Sequence, residues 1–253
     1  MSRFEARLRL EILIVLGISL GRSAVYSLLS LIEKLTRPEP LGSQTTSINT
    51  SAVPDRPWLD LAYQVANLIF PLMPVALVLY LLWTHRPPEG GPFAAMGFDL
   101  RRPWRDLAVG FGVFVVIGIG GLAVYFGARE LGLNTNVVAA NLSAHWWTVP
   151  VLVARAIMNG VLEEVIMIGY LFTRWAQAGG RALTIVWISA LIRGTYHLYQ
   201  GFGGFIGNTI MGALFGLFYL RTKRVMPLVI VHSLLDIVAF VGYSLLKDHV
   251  SFL

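Results

Sequence analysis

Long apolar runs separated by short, often basic, polar segments are the dominant pattern along this chain. The runs fall at 11–32, 58–83, 106–127, 149–173, 183–200, 203–220 and 225–246. Most have the ~17–25 residues that a helix needs to cross a hydrocarbon core. The pattern therefore predicts an all-α fold, a polytopic membrane bundle of about seven transmembrane helices. Arg3, Arg7 and Arg9 precede the first run in the manner of a signal peptide. That run continues to about residue 32 without a small-residue cleavage pattern, so it reads as a retained span.

The loops set an orientation. With the N-terminus cytoplasmic, twelve cations lie inside: Arg3, Arg7, Arg9, Arg86, Arg101, Arg102, Arg105, Arg174, Arg181, Arg221, Lys223 and Arg224. Five lie outside: Lys34, Arg37, Arg56, Arg129 and Lys247. Cations collect on the cytoplasmic side, which predicts N-in and C-out. The segment 36–57, TRPEPLGSQTTSINTSAVPDRP, is polar and rich in Pro, Ser and Thr and predicts a flexible outer loop. Residues 84–105 join Pro-Pro and Gly-Gly to an amphipathic stretch from Phe93 to Leu100, expected along the inner interface.

Composition narrows the function. Hydrophobic residues make up 56% of the 253 and charged ones only 13%, well under the ~25% charged of an average soluble domain. A soluble binding module is excluded. The absence of cysteine removes disulfides, thiolate zinc sites and a cysteine nucleophile together. The net charge of +6 does not point to nucleic acid, because the basic residues sit in short clusters between apolar runs and face the lipid bilayer instead.

Polar residues inside the runs carry the candidate chemistry, since an ionised side chain near a bilayer centre costs at least ~2.5 kcal/mol. Glu163 and Glu164 lie in the fourth run. Arg193 and His197 stand four apart in the fifth, Asn208 lies in the sixth, and His232 and Asp236 stand four apart in the seventh. Groups this costly neutralise one another most cheaply in one shared cavity. Depth along the helices brings Glu163 and His232 to one level. His197 falls some seven residues, roughly 10 Å, to the outer side of its span centre. The fifth helix is therefore expected to be displaced outward and to continue past Gln200.

Two arginines and two glycine pairs complete the polar and small-residue pattern. Arg22, near the middle of the first span, is expected to face an inner partner. Arg155, Asn159 and Glu163 are spaced i, i+4, i+8 and share a face, although Arg155 is also placed to snorkel outward. Gly17 with Gly21 and Gly212 with Gly216 read as ordinary helix packing.

A carboxylate in an apolar site is suited to act as a general base, and with a buried His it could activate a water for amide hydrolysis. A second His oriented by Asp236 could serve a developing oxyanion or a leaving amine. A zinc version uses Glu163, His197 and His232 as ligands with water in the fourth position. Spacing leaves both mechanisms open. Carboxylate and His chains also build proton relays, so an ion-coupled transporter is an alternative, as is a non-catalytic scaffold or immunity-type protein.

These residues resemble the CPBP (CAAX protease and bacteriocin-processing) family of intramembrane proteases, related to the type II CAAX prenyl endopeptidases. That family carries Glu-Glu-x3-Arg, then Phe-x3-His, then His-x3-Asn or Asp, on successive core helices. The counterparts here are Glu163-Glu164, Arg193 to His197, and His232 to Asp236, and MGFDLRRPWRDL before the third span is similar to the family's lead-in. The likeness covers roughly 145–246. It implies that Glu163 activates the attacking water with Glu164 and His197 assisting, while His232 and Asp236 stabilise the oxyanion. It also implies a peptide or protein substrate in the membrane, and either zinc or a metal-free glutamate mechanism. Two positions depart: Ile168 stands where the family has Arg, and Arg193 where it has Phe. The departures suggest one relocated cation. On this reading 1–105 is an N-terminal two-span region, 106–253 is a protease-like core, and the chain resides in the plasma membrane.

Overall fold

The apolar runs become helices that break at glycine, proline and polar residues. The computed structural model describes residues 3–85, 87–247 and 249; Arg86, one of the expected inner cations, lies outside the described residues. The elements in order are α1 (Arg3–Ile18), α2 (Leu20–Leu35), β1 (Thr45–Ser47), α3 (Pro57–Ile69), α4 (Met73–Thr84), α5 (Gly91–Met96), α6 (Pro103–Glu130) and β2 (Asn136–Val138). They continue with α7 (Thr148–Glu164), a π-helical turn Val165–Tyr170, α8 (Leu171–Gln177), α9 (Ala182–Thr195), α10 (Phe202–Thr222) and α11 (Met226–Leu246). The fold is all-helical apart from β1 and β2, a short parallel ladder.

Among the described residues four helical segments are long and apolar enough to cross a membrane: Pro57–Thr84, Pro103–Glu130, Phe202–Thr222 and Met226–Leu246. The first run adds a fifth if its bent halves count as one span. Helices α1 and α2 meet there at 50°, where Ser19 Oγ donates to the Val15 carbonyl at 2.6 Å. Arg22 lies just past this bend. Contrary to expectation it is exposed, with its guanidinium over the Tyr26 ring, because the bend turns that face outward. Gly17 faces open space and Gly21 lies over its own Leu16 carbonyl, so this pair seats no neighbouring helix. Gly212 and Gly216 do: they lie against Ala190 and Val186, drawing α10 onto α9.

The fifth run does not extend past Gln200. Helix α9 stops after 14 residues, about 21 Å at ~1.5 Å per residue. A 3-10 turn spans Leu198–Gln200, and Gly201 at φ 117° reverses the chain into α10. A Cβ at Gly201 would come within 2.7 Å of the Leu133 carbonyl, so no other residue serves at this corner.

The 36–57 segment is ordered rather than flexible, because its polar groups find partners. Its strand β1 pairs with β2, and Thr46 shares a 2.7 Å hydrogen bond with Thr135. Thr135 N–H donates to Gln200 O at 2.8 Å, and Lys34 Nζ donates to Tyr199 O at 2.8 Å. These bonds tie the loop over the α9–α10 corner. At the opposite ends of the helices, Arg174 is fully buried and donates from Nε to Glu11 Oε1 at 2.7 Å. Its Nη groups reach the carbonyls of Leu81 and His85 at the end of α4. Arg224 pairs with Asp106 and Asp99, fastening residues 97–106 to the α10–α11 turn.

Candidate active site

Helix α7 runs alongside α11, and Gly160 permits the close approach. A Cβ there would stand 2.6 Å from Ser233 Oγ and 3.0 Å from the Val229 carbonyl. One turn later come Glu163 and Glu164. Successive side chains on a helix diverge by about 100° at 3.6 residues per turn, so the two carboxyls reach different neighbours. The π-helical turn follows at once and is fully buried, with Ser189 Oγ donating to the Met167 carbonyl at 3.0 Å. Such turns are frequent at functional sites.

Glu163 Oε2 accepts hydrogen bonds from Tyr196 Oη at 2.5 Å and Arg193 Nη1 at 3.3 Å. It stands 4.0 Å from His232 Nε2. Glu164 is wholly inaccessible, and its Oε1 meets Arg193 Nη2 at 2.8 Å and His232 Nδ1 at 2.7 Å. Arg193, also wholly inaccessible, thus lies between both carboxylates, with its guanidinium over the Phe215 ring. A buried cation between two buried acids offsets much of the desolvation cost of each. Ile168, the position where the resembled motif has Arg, is buried in the apolar core. The cation comes from α9 instead.

Asp236 sits one turn beyond His232, its Oδ2 3.9 Å from His232 Nε2 and accepting from Asn159 Nδ2 at 2.9 Å. Its side chain is 21% exposed, which makes this the accessible edge of the cluster.

Three expected members stand elsewhere. His197 lies beyond the end of α9, edge-on to Tyr196 and Tyr199, and its buried Nδ1 has no partner. It lies near enough to feel the charges of Glu163, Arg193 and His232 but makes no hydrogen bond or ion pair with them among the described residues, and the chain turns at Gly201 instead of extending the helix. Asn208 donates to its own helix at Gly204 O, 2.9 Å, and lines an apolar groove of about 720 Å³ between α6, α10 and α11. Arg155 turns away from Glu163, donating to Asn49 Oδ1 at 3.0 Å and to Gln64 Oε1. The i, i+4, i+8 stripe therefore divides among three different partners. Arg155→Ala is expected to cost about 2 kcal/mol, the scale of charged hydrogen bonds, while leaving turnover unchanged. Thermal midpoint and turnover measured on one preparation check this.

Tyr196 was missed by the sequence reading. The available signal was a phenol inside an apolar run, whose hydroxyl needs a partner when buried.

Glu163, Glu164 and His232 are the one group among the described residues that could hold a metal ion, with ligand atoms within 4.8 Å of one another. The expected zinc set with His197 is not assembled. Even in the group that is, His232 Nδ1 and Glu164 Oε1 lie 2.7 Å apart, whereas two ligands at ~2.1 Å from a tetrahedral zinc stand about 3.4 Å apart. Arg193 already supplies the positive charge between the carboxylates. As arranged, Glu164 and His232 bond to one another, and a metal held by this group would have to part them.

Residues 145–238 match the family model described as type II CAAX prenyl endopeptidase Rce1-like. Neither the curated proteins nor the solved structures yielded a match. The matched segment contains α7, the π-helical turn, α9 and the His232–Asp236 turn of α11, the elements that build the cluster. Together with the apolar helices it marks an integral membrane protein, one whose residues 145–238 are similar to the Rce1-like type II CAAX prenyl endopeptidases.

Proposed function

We propose that this chain is an intramembrane endopeptidase that hydrolyses a peptide bond with a water activated by Glu163, without a metal. The observation that carries the reading is the joining of Glu163, Glu164, Arg193 and His232 in one buried cluster that opens at Asp236. Ionisable groups this costly inside apolar helices mark function by default.

The hydrogen bonds support a division of labour. Tyr196 and Arg193 hold Glu163 by Oε2, and no hydrogen bond or ion pair reaches Oε1 among the described residues. Oε1 is thus the atom suited to take a proton from water. Glu164 anchors the His232 ring through Nδ1, leaving Nε2 facing Glu163 and Asp236 across 4.0 and 3.9 Å. One oxygen covers such a gap with two hydrogen bonds of ~2.8 Å.

In the reaction, the water oxygen adds to the scissile carbonyl carbon while its proton passes to Glu163. Nε2 of His232 faces the oxygen on which negative charge gathers. The C–N bond then breaks and the proton held by Glu163 moves to the leaving amine. His197, whose buried Nδ1 has no partner, assists Glu163. We further propose seven crossings with the N-terminus cytoplasmic, the catalytic core in 106–253, and residence in the plasma membrane.

The matched family's name supplies the first substrate to try. The chain, reconstituted in vesicles, is expected to cleave a fluorogenic peptide ending in a prenylated CAAX-type sequence, with the unprenylated peptide run in parallel. A zinc chelator should leave the rate unchanged. Failure to cut either peptide rejects the endopeptidase reading. Chelator inhibition relieved by added zinc rejects the metal-free mechanism.

A further inference from the structure

The attack of water on a peptide carbonyl places negative charge on oxygen, and that oxygen needs hydrogen-bond donors aimed at it. His232 Nε2 is one. Asp236, the other polar group at the accessible edge, is a carboxylate and offers acceptors. Its Oδ2 is instead the acceptor for Asn159 Nδ2 at 2.9 Å. Asn159 is half-buried and lies one turn before Glu163 on the same face of α7.

A carboxamide nitrogen carries two hydrogens. Asp236 takes one, and that bond fixes the plane of the amide. No hydrogen bond to the second is found among the described residues, and the half-buried Asn159 leaves it available. The fixed amide stands beside Asp236 Oδ2, which is itself 3.9 Å from His232 Nε2. Donor, imidazole and general base therefore border one space, supplied by α7 and α11.

We infer that Asn159 is a catalytic residue, the second oxyanion donor, and that Asp236 is a positioning residue that aims its amide. This deepens the endopeptidase reading and rests on it. The Asn159–Asp236 bond thereby acquires a direction: the carboxylate serves the amide, and the amide serves the substrate.

The test uses the full chain in vesicles with the fluorogenic prenylated peptide. Asn159→Ala is expected to lower kcat by about 10²–10³-fold, the cost of losing one oxyanion donor, with KM within about twofold of wild type. Asn159→Ser, which keeps a shorter donor, should fall between wild type and Asn159→Ala, and it provides a second reading if the alanine variant folds poorly. Adding Asp236→Asn to Asn159→Ala restores an amide donor at that edge and should recover at least about tenfold of the lost kcat. A merely structural Asn159 would show its loss and its rescue in the thermal midpoint, whereas a donor role moves kcat among variants of equal midpoint.

Glu163→Gln, run alongside, separates the two possible failures. If it cuts the peptide as wild type does, the endopeptidase reading falls and this inference with it. If it is inactive while Asn159→Ala keeps its kcat, or the double variant recovers nothing, the inference alone is overturned.

Discussion

Glu163→Gln is expected to lower peptide cleavage by about 10²–10⁴-fold, the range assigned to a positioned general base. The substitution keeps the side chain's shape, and its amide oxygen can still accept from Tyr196. What is lost is the lone-pair basicity that takes a proton from water. Arg193 keeps its 2.8 Å contact with Glu164, so the buried guanidinium retains a counter-charge and the helices should stay packed. Cleavage rate and thermal midpoint, measured on the same reconstituted sample, separate chemistry from folding. A variant that cuts at the wild-type rate would remove Glu163 from the mechanism.

Arg193→Phe is expected to damage both stability and turnover. Breaking a buried ion pair by removing one partner typically costs 3–5 kcal/mol, because the remaining charge is left without compensation. Here two carboxylates lose their shared cation, since Arg193 contacts Glu163 at 3.3 Å and Glu164 at 2.8 Å. A second substitution tests the relocated-cation idea. Ile168→Arg returns a cation at the position where the resembled motif carries one, one turn after Glu164, and the pair Ile168→Arg with Arg193→Phe should keep more stability and activity than Arg193→Phe alone. Equal loss in both, by thermal midpoint and cleavage rate, would show that the guanidinium must come from α9.

The candidate residues were readable because their type conflicts with their surroundings. Glu, His, Asp and Arg inside apolar runs announce themselves by cost, and spacing of four put His232 and Asp236 on one face. Which acid meets which base was not readable. Glu163 and Arg155 share a helical face, yet Arg155 bonds toward Asn49 and Gln64 while Glu163 bonds toward α9. Helical periodicity gives a direction from one axis and carries no information about the neighbour waiting there. His197 shows the same limit: spacing put it on the face of Arg193, yet α9 ends before it and its Nδ1 finds no partner.

Sequence alone determined that the chain is helical, apolar and membrane-bound, because burying every backbone polar group within a helix is the stable answer for long runs without water. It also determined that costly ionisable groups from separate runs would have to satisfy one another. Tertiary structure decided the pairing: Gly160 brings α11 against α7 so that His232 reaches Glu164, and α9 carries Arg193 and Tyr196 to Glu163. Those contacts depend on ångström-scale helix approach, which is set by small residues and turns acting between segments far apart in the chain.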